Sequence, residues 1–209
     1  MALQPFESDA GGMDKGLRGN TVGTQDARRK RHPSQQDNSL PINVPEGAFR
    51  LPNIRIVGMN NEQMETLANK TRGLNIGSLA LEALQTGALA VSSEGPQRLS
   101  PIVMDARAME PDTTYPTIEQ LQKKALKLGD KGSIEAMLQL AILAAKGKVQ
   151  VEMGKPLVGI TCTFDSNGVP RFLWLGRDRV GLWLVSGEAY SDYQWGPDLR
   201  VVVFSPKAA

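Results

Sequence analysis

The sequence has a single cysteine, Cys162, and a single histidine, His32. One thiol cannot form an intramolecular disulfide or a CxxC redox pair, and the chain has too few Cys and His ligands for a zinc site. His32 lies in a stretch that we predict not to fold, which argues against a His-assisted nucleophile. Neither a GxGxxG nor a GxxxxGK[ST] phosphate loop occurs. We therefore predict a protein that is not an enzyme, without cofactor, metal or small-molecule substrate.

Long apolar runs are also missing from the sequence. No run approaches the ~18–20 residues that a helix needs to span a bilayer. The N-terminus lacks the charged-then-apolar pattern of a signal peptide. Basic and acidic residues are nearly balanced, 24 against 22, so any polyanion site must be local. These features predict a soluble intracellular protein of the cytoplasm, or of the nucleus, or of a virion if it is a coat protein.

Residues 1–45 are predicted to be a disordered arm. The segment is rich in Gly, Ser, Gln, Asn and Asp, and Phe6 is its only aromatic residue. Such a composition cannot bury enough apolar area to offset the entropy lost when the backbone becomes ordered. The arm contains one dense group of positive charges, which we call the basic cluster. It consists of Arg28, Arg29, Lys30 and Arg31.

Three interpretations of the basic cluster remain open. In an extended arm, four adjacent cations can follow the phosphates of a nucleic acid without folding first, with RNA preferred to DNA. A short cationic run also resembles a nuclear-import peptide. The third interpretation is an inert segment that only improves solubility. We favour contact with nucleic acid.

The rest of the chain, residues 46–209, is predicted to be a single α+β domain. Residues 60–147 carry helical patterns, including the capping-box pair Thr117 and Gln120. Ser133 is expected to cap the next helix, with Glu135 favourably placed near its N-terminus. Pro101 is expected to begin a short edge strand. Residues 149–205 read as β-rich, with alternation at 149–153 and a turn composition at 165–168, and predict a mostly antiparallel β-meander. The fold class is therefore α+β, with a disordered N-terminal arm, central helices and a C-terminal meander.

A second group of basic residues occurs in the β-rich part, next to large aromatic residues. Interleaved cations and aromatic rings can hold a single-stranded nucleic acid by phosphate pairing and base stacking. The alternative is that both faces of these strands are covered, by the core on one side and by a neighbouring subunit on the other. The cations are Arg171, Arg177 and Arg179, and the aromatic residues are Phe172, Trp174 and Trp183.

Three more aromatic residues, Tyr190, Tyr193 and Trp195, lie in the polar connection 186–197. Large aromatic side chains on a loop either fold back as a plug or stay exposed as binding anchors. We predict an interaction loop and leave both alternatives open.

Together these features predict a non-enzymatic, self-associating structural protein that binds nucleic acid, as coat or packaging proteins do. The arm would contact phosphates and the domain would mediate assembly. The alternative function is a protein-interaction or regulatory factor. In that case the basic cluster would be a nuclear-import signal and the aromatic loop would contact a partner protein.

The basic cluster generates a test based on salt dependence. If each of its four cations neutralises one phosphate, the cluster contributes a log–log salt slope of about −3.6 for duplex DNA and about −2.8 for single strands. We expect that changing all four residues to Gln flattens the slope by that amount and weakens binding to all sequences alike. Fluorescence anisotropy over a salt series measures the slope, and an unchanged slope would exclude the cluster from the binding site.

Overall fold

The computed structural model describes residues 46–86, 96–164, 170–188, 194–196 and 199–206. The basic cluster and the tyrosines Tyr190 and Tyr193 lie outside these residues. The described residues form five helices and one mixed sheet of eight strands, most of which pair antiparallel. The predicted α+β fold class is therefore confirmed.

The elements follow one another along the chain with strands and helices intermixed. The strands are β1 (Phe49–Arg50), β2 (Ile54–Ile56), β3 (Leu74–Ile76), β4 (Gln97–Asp105), β5 (Leu157–Phe164), β6 (Pro170–Arg177), β7 (Leu182–Glu188) and β8 (Arg200–Pro206). The helices are α1 (Asn61–Lys70), α2 (Ser78–Thr86), α3 (Ala106–Met109), α4 (Ile118–Lys127) and α5 (Ile134–Ala145). The strand order in the sheet is β1-β4-β8-β5-β6-β7-β3, and β2 also pairs with β4.

Only part of the C-terminal half is a meander. Strands β5, β6 and β7 pair antiparallel in sequence order, as predicted. Strand β8 instead lies between β4 and β5, antiparallel to the first and parallel to the second. The sheet therefore uses strands from both halves of the chain, and β4 lies within the range 60–147, for which the sequence predicted helices and only a short edge strand.

Strand β4 is not the edge strand that Pro101 suggested. It pairs with β8 on one side and with β1 and β2 on the other. The Pro101 carbonyl accepts a hydrogen bond from the Leu51 amide at 2.9 Å, on the side of β1 and β2. The Pro101 nitrogen lies on this same side, where the chain passes from β1 to β2, so the ladder to β8 loses no donor.

Two of the helices begin at the predicted caps. The Thr117 hydroxyl accepts from the Gln120 amide at 3.3 Å, and the Gln120 side chain accepts from the Thr117 amide at 2.8 Å. This reciprocal pair is the capping box expected at α4. The Ser133 hydroxyl accepts from the Ala136 amide at 3.1 Å and caps α5.

The sheet separates two apolar clusters, one on each face. On the first face, helices α1, α2 and α5 cover the sheet along most of its width. On the second face, α3 and α4 pack over β4, β5 and β8. Leu157 and Phe204 belong to the first cluster, while Val158 and Val203 belong to the second, as the strand alternation requires.

The chain crosses from the second face to the first between α4 and α5. Strand β5 pairs with β8 only from Leu157 to Gly159, so the backbone of Phe204 needs other partners. The connection between the helices supplies them. The Phe204 amide donates to Asp130 Oδ1 at 2.7 Å, and the Phe204 carbonyl accepts from the Lys131 amide at 2.8 Å. The connection therefore substitutes for a strand, with Asp130 only 5% exposed.

A second buried carboxylate fixes the start of α5. Glu135 Oε1 accepts from the Val57 amide at 2.7 Å, and Oε2 accepts from the amides of Gly58 at 3.1 Å and Met59 at 3.0 Å. The sequence predicted only a favourable charge near the helix N-terminus at this position. In the fold, this side chain also anchors the connection between β2 and α1 by charge-assisted hydrogen bonds.

Removal of the Asp130 carboxylate is expected to destabilise the fold. In Asp130→Ala the buried Phe204 amide loses its acceptor, which costs about 1–3 kcal/mol or more because the acceptor is charged. Asp130→Asn retains an acceptor oxygen and should lose less. Urea unfolding measures both, with Asp112→Ala at an exposed carboxylate as the control. Equal stability of Asp130→Ala and the unchanged protein would contradict this role.

Candidate functional site

The hairpin of β6 and β7 has two different faces. Leu173, Leu175, Leu182 and Leu184 are buried against the first apolar cluster. Phe172, Trp174, Trp183 and Val185 alternate with these leucines along the strands, so they point to the second face, where they are only half-buried. Among the described residues, the helices on that side bury side chains of β4, β5 and β8. We call the half-buried set, together with the neighbouring Trp195, the aromatic face. It consists of Phe172, Trp174, Trp183, Val185 and Trp195.

Two glycines allow the rings of Phe172 and Trp174 to lie directly on the sheet backbone. Gly187 pairs with Phe172 across the strands, and a Cβ atom at Gly187 would lie 2.6 Å from the Phe172 Cζ. A Cβ atom at Gly176 would lie 3.0 Å from the Trp174 Cζ3. Both rings therefore lie against bare backbone, as when an aromatic residue covers a strand glycine. Their positions are fixed by the sheet.

Trp195 comes from the predicted interaction loop and folds back onto the domain. It is 9% exposed, and its ring meets the Phe172 ring edge to face with centroids 4.7 Å apart. The Trp195 amide donates to the Pro116 carbonyl at 3.0 Å, next to a β-bridge between Thr117 and Gln194. Of the two alternatives for the loop, Trp195 takes the one in which the side chain folds back as a plug.

The rings border two adjacent clefts with volumes of about 300 and 400 Å³. Trp174 and Pro156 line both clefts. The first cleft also contains Trp183, and the second also contains Phe172 and Trp195. Clefts of this size and composition accept an apolar side chain or a flat ring. Contact through apolar area is therefore the main chemistry that the aromatic face offers.

The three predicted arginines do not line the aromatic face together. Arg171 is buried, and its guanidinium pairs with the Glu188 carboxylate at 3.3 Å. It shares a sheet face with Leu173, not with Phe172, because side chains alternate along a strand. Arg177 borders the first cleft, and Arg179 is exposed in the following turn. Adjacency in the sequence suggested interleaved cations and rings, whereas the strand period places Arg171 on the other side.

The turn between β6 and β7 is organised around Asp178. Its Oδ1 accepts from the amides of Val180 at 2.8 Å and Gly181 at 2.9 Å, and from Trp183 Nε1 at 3.1 Å. These hydrogen bonds, the one from the Gly181 backbone first, lower the pKa of Asp178 below its ordinary value. The carboxylate is therefore ionised at neutral pH, and it orients the Trp183 ring at the edge of the first cleft.

Within the described ranges, no group of three or more His, Cys, Asp or Glu side chains is arranged to hold a metal ion. In that same part of the chain, no helix has the length and apolar character to cross a membrane. No known protein family matches the chain, and neither does a curated protein sequence or a solved structure. The function is therefore inferred from the chemistry of the aromatic face and of the charges around it.

Gly187→Ala tests whether the glycines fix the rings. The added methyl group would overlap the Phe172 ring, which must leave its place beside Trp195, at a cost of about 1–3 kcal/mol. We expect a lower midpoint of thermal unfolding and a change in tryptophan fluorescence. Gly196→Ala is the control, because its Cβ atom would meet nothing within 4 Å. Identical stability and fluorescence for Gly187→Ala would show that the rings are not seated on the backbone.

Proposed function

We propose that this protein is a non-enzymatic structural protein with a coat- or packaging-like role. In this proposal the aromatic face contacts another copy of the chain, and the basic cluster binds nucleic acid, preferably RNA. The observation that carries the proposal is the aromatic face itself: Phe172, Trp174 and Trp183 are only half-buried, beside the part of the second face that α3 and α4 cover.

The chemistry of the aromatic face favours a protein partner over bases and phosphates. Tryptophan and other aromatic residues are enriched where protein interfaces gain most of their binding energy. Rings fixed on Gly176 and Gly187 have little freedom to lose on binding. Among the described residues, those lining the second cleft include one carboxylate, Glu188, and no cation, which disfavours phosphate there. An apolar partner surface fits better.

Self-association is favoured by the combination of the arm and the domain in one chain. If the basic cluster binds along a nucleic acid, many copies of the chain are brought together on one polymer. Their effective concentration then rises far above that in solution, as in any multivalent system. A weak contact between aromatic faces would be sufficient for assembly under these conditions, and nucleic acid would promote it.

A regulatory or interaction factor is the second candidate function. It is favoured by the division of the aromatic face into two clefts of side-chain size, because a peptide with two apolar anchors could occupy them. Such a factor would be monomeric and free of nucleic acid when purified.

Light scattering after size-exclusion chromatography, before and after nuclease treatment, separates the two candidates. The proposal predicts large assemblies with a raised 260/280 absorbance ratio, which become smaller when the nucleic acid is removed. In Trp183→Lys and Val185→Lys we expect the assemblies to dissociate, because each places a charge on the aromatic face.

The matched control for these variants is Leu126→Lys. Leu126 is 62% exposed on α4, so the same charge is placed on a surface outside the aromatic face. It should assemble like the unchanged protein. A monomer without nucleic acid in every case would contradict the proposal and favour the interaction factor. Equal assembly by all variants would exclude the aromatic face from the contact.

A further inference from the structure

One end of the sheet brings several chain connections together. Arg177 at the end of β6 pairs with Leu182 at the start of β7, and Leu182 pairs with Leu74 at the start of β3. Leu157 at the start of β5 pairs with Arg200 at the start of β8. The connections 70–73, 146–156 and 178–181 enter these strands and therefore lie at the same end. We call it the basic end.

Besides Lys155, which pairs with Glu152, the basic end carries six exposed cations. They are Lys70, Arg72, Lys146, Lys148, Arg177 and Arg179. Two of the carboxylates at this end are engaged. Glu152 lies between Lys155, at 3.3 Å, and Arg200, at 2.8 Å, and Asp178 is bound by the amides of its own turn. Asp105 at the end of β4 is a third, exposed carboxylate. The basic end is therefore strongly positive, although the chain has a net charge of only +2.

The basic end also exposes two large apolar side chains. Val180 is 79% exposed in the turn between β6 and β7, and Met153 is 59% exposed in the connection before β5. Met153 forms a β-bridge with Arg177, three residues before Val180 in the chain. The first cleft, with Trp183 at its edge, opens beside them. Each of these apolar groups thus has cations as its immediate neighbours.

We propose that the basic end docks on the surface of an anionic lipid bilayer. The cations contact the headgroups, Val180 and Met153 enter the apolar boundary, and Trp183 lies at the interface, where tryptophan is enriched. Nucleic acid would satisfy the same cations but would gain nothing from exposed aliphatic side chains. An anionic bilayer attracts the cations through its headgroups and takes up the exposed apolar side chains at its apolar boundary, so both features favour a bilayer.

Bilayer docking extends beyond the proposed assembly and uses a neighbouring surface, with Trp183 at the border between the two. Val180 and Met153 are not part of the aromatic face. A bilayer-bound domain would leave the basic cluster of the arm available for nucleic acid. The protein would then act between a nucleic acid and a membrane surface, as a peripheral and not a membrane-spanning protein.

Co-flotation with lipid vesicles tests the proposal. The chain is nuclease-treated and carries Gln at the four positions of the basic cluster, so that the arm does not bind the vesicles. We expect flotation with vesicles of phosphatidylcholine and phosphatidylserine and none with phosphatidylcholine alone. Val180→Ser with Met153→Ser should weaken binding about tenfold or more, and so should Arg177→Gln with Arg179→Gln. Leu126→Ser, which removes an exposed leucine elsewhere, should bind normally.

Two results would overturn the proposal. One is absence of flotation with the anionic vesicles. The other is loss of binding only in the arginine variant, with the serine variant binding normally, because the basic end would then be a general polyanion site. Light scattering of the same variants measures self-association separately. If the assembly proposal fails, the flotation experiment therefore still tests bilayer binding. Circular dichroism confirms that each variant is folded.

Discussion

The hydrogen bond from the Phe204 amide to the Asp130 carboxylate supports the arrangement of the whole domain. It lies where β5 and β8 separate and where the chain passes from one face of the sheet to the other. A buried amide without an acceptor at this point would cost as much as a lost core contact. Because Asp130 and Lys131 take the place of a strand, α4 can cover the second face and α5 the first. The packing of helices on both faces of the sheet therefore depends on the hydrogen bonds between this connection and Phe204.

The two faces of the sheet are covered unequally as a consequence. Three helices pack on the first face, whereas α3 and α4 occupy the second face above β4, β5 and β8. Among the described residues, the aromatic rings of β6 and β7 are therefore left half-buried. Folding in water favours burial of such rings, and a surface of this kind on a rigid sheet is typical of a protein that works by contact with a partner.

Local features of the fold could be predicted from the sequence, and non-local ones could not. The capping box of Thr117 and Gln120 and the cap at Ser133 were predicted, because each depends on residues three positions apart. The position of β8 between β4 and β5 and the carboxylate contacts of Asp130 and Glu135 join residues 43 or more positions apart, and no periodicity encodes them. The sequence singled out Phe172, Trp174, Trp183 and Trp195, which the fold brings together, but the burial of Arg171 required the strand period to be applied to the cations as well. The roles of the basic cluster, Tyr190 and Tyr193 stay predictions.

In the proposed assembly, the aromatic face becomes buried when copies of the chain come together. Tryptophan fluorescence tests this burial most directly, because Trp195 is already buried and a change in exposure reports mainly on Trp174 and Trp183. The emission spectrum and its quenching by acrylamide are measured over a protein concentration series that spans assembly. The account predicts emission at shorter wavelength and weaker quenching as the assemblies form. Assemblies of full size with unchanged emission and unchanged quenching would contradict it.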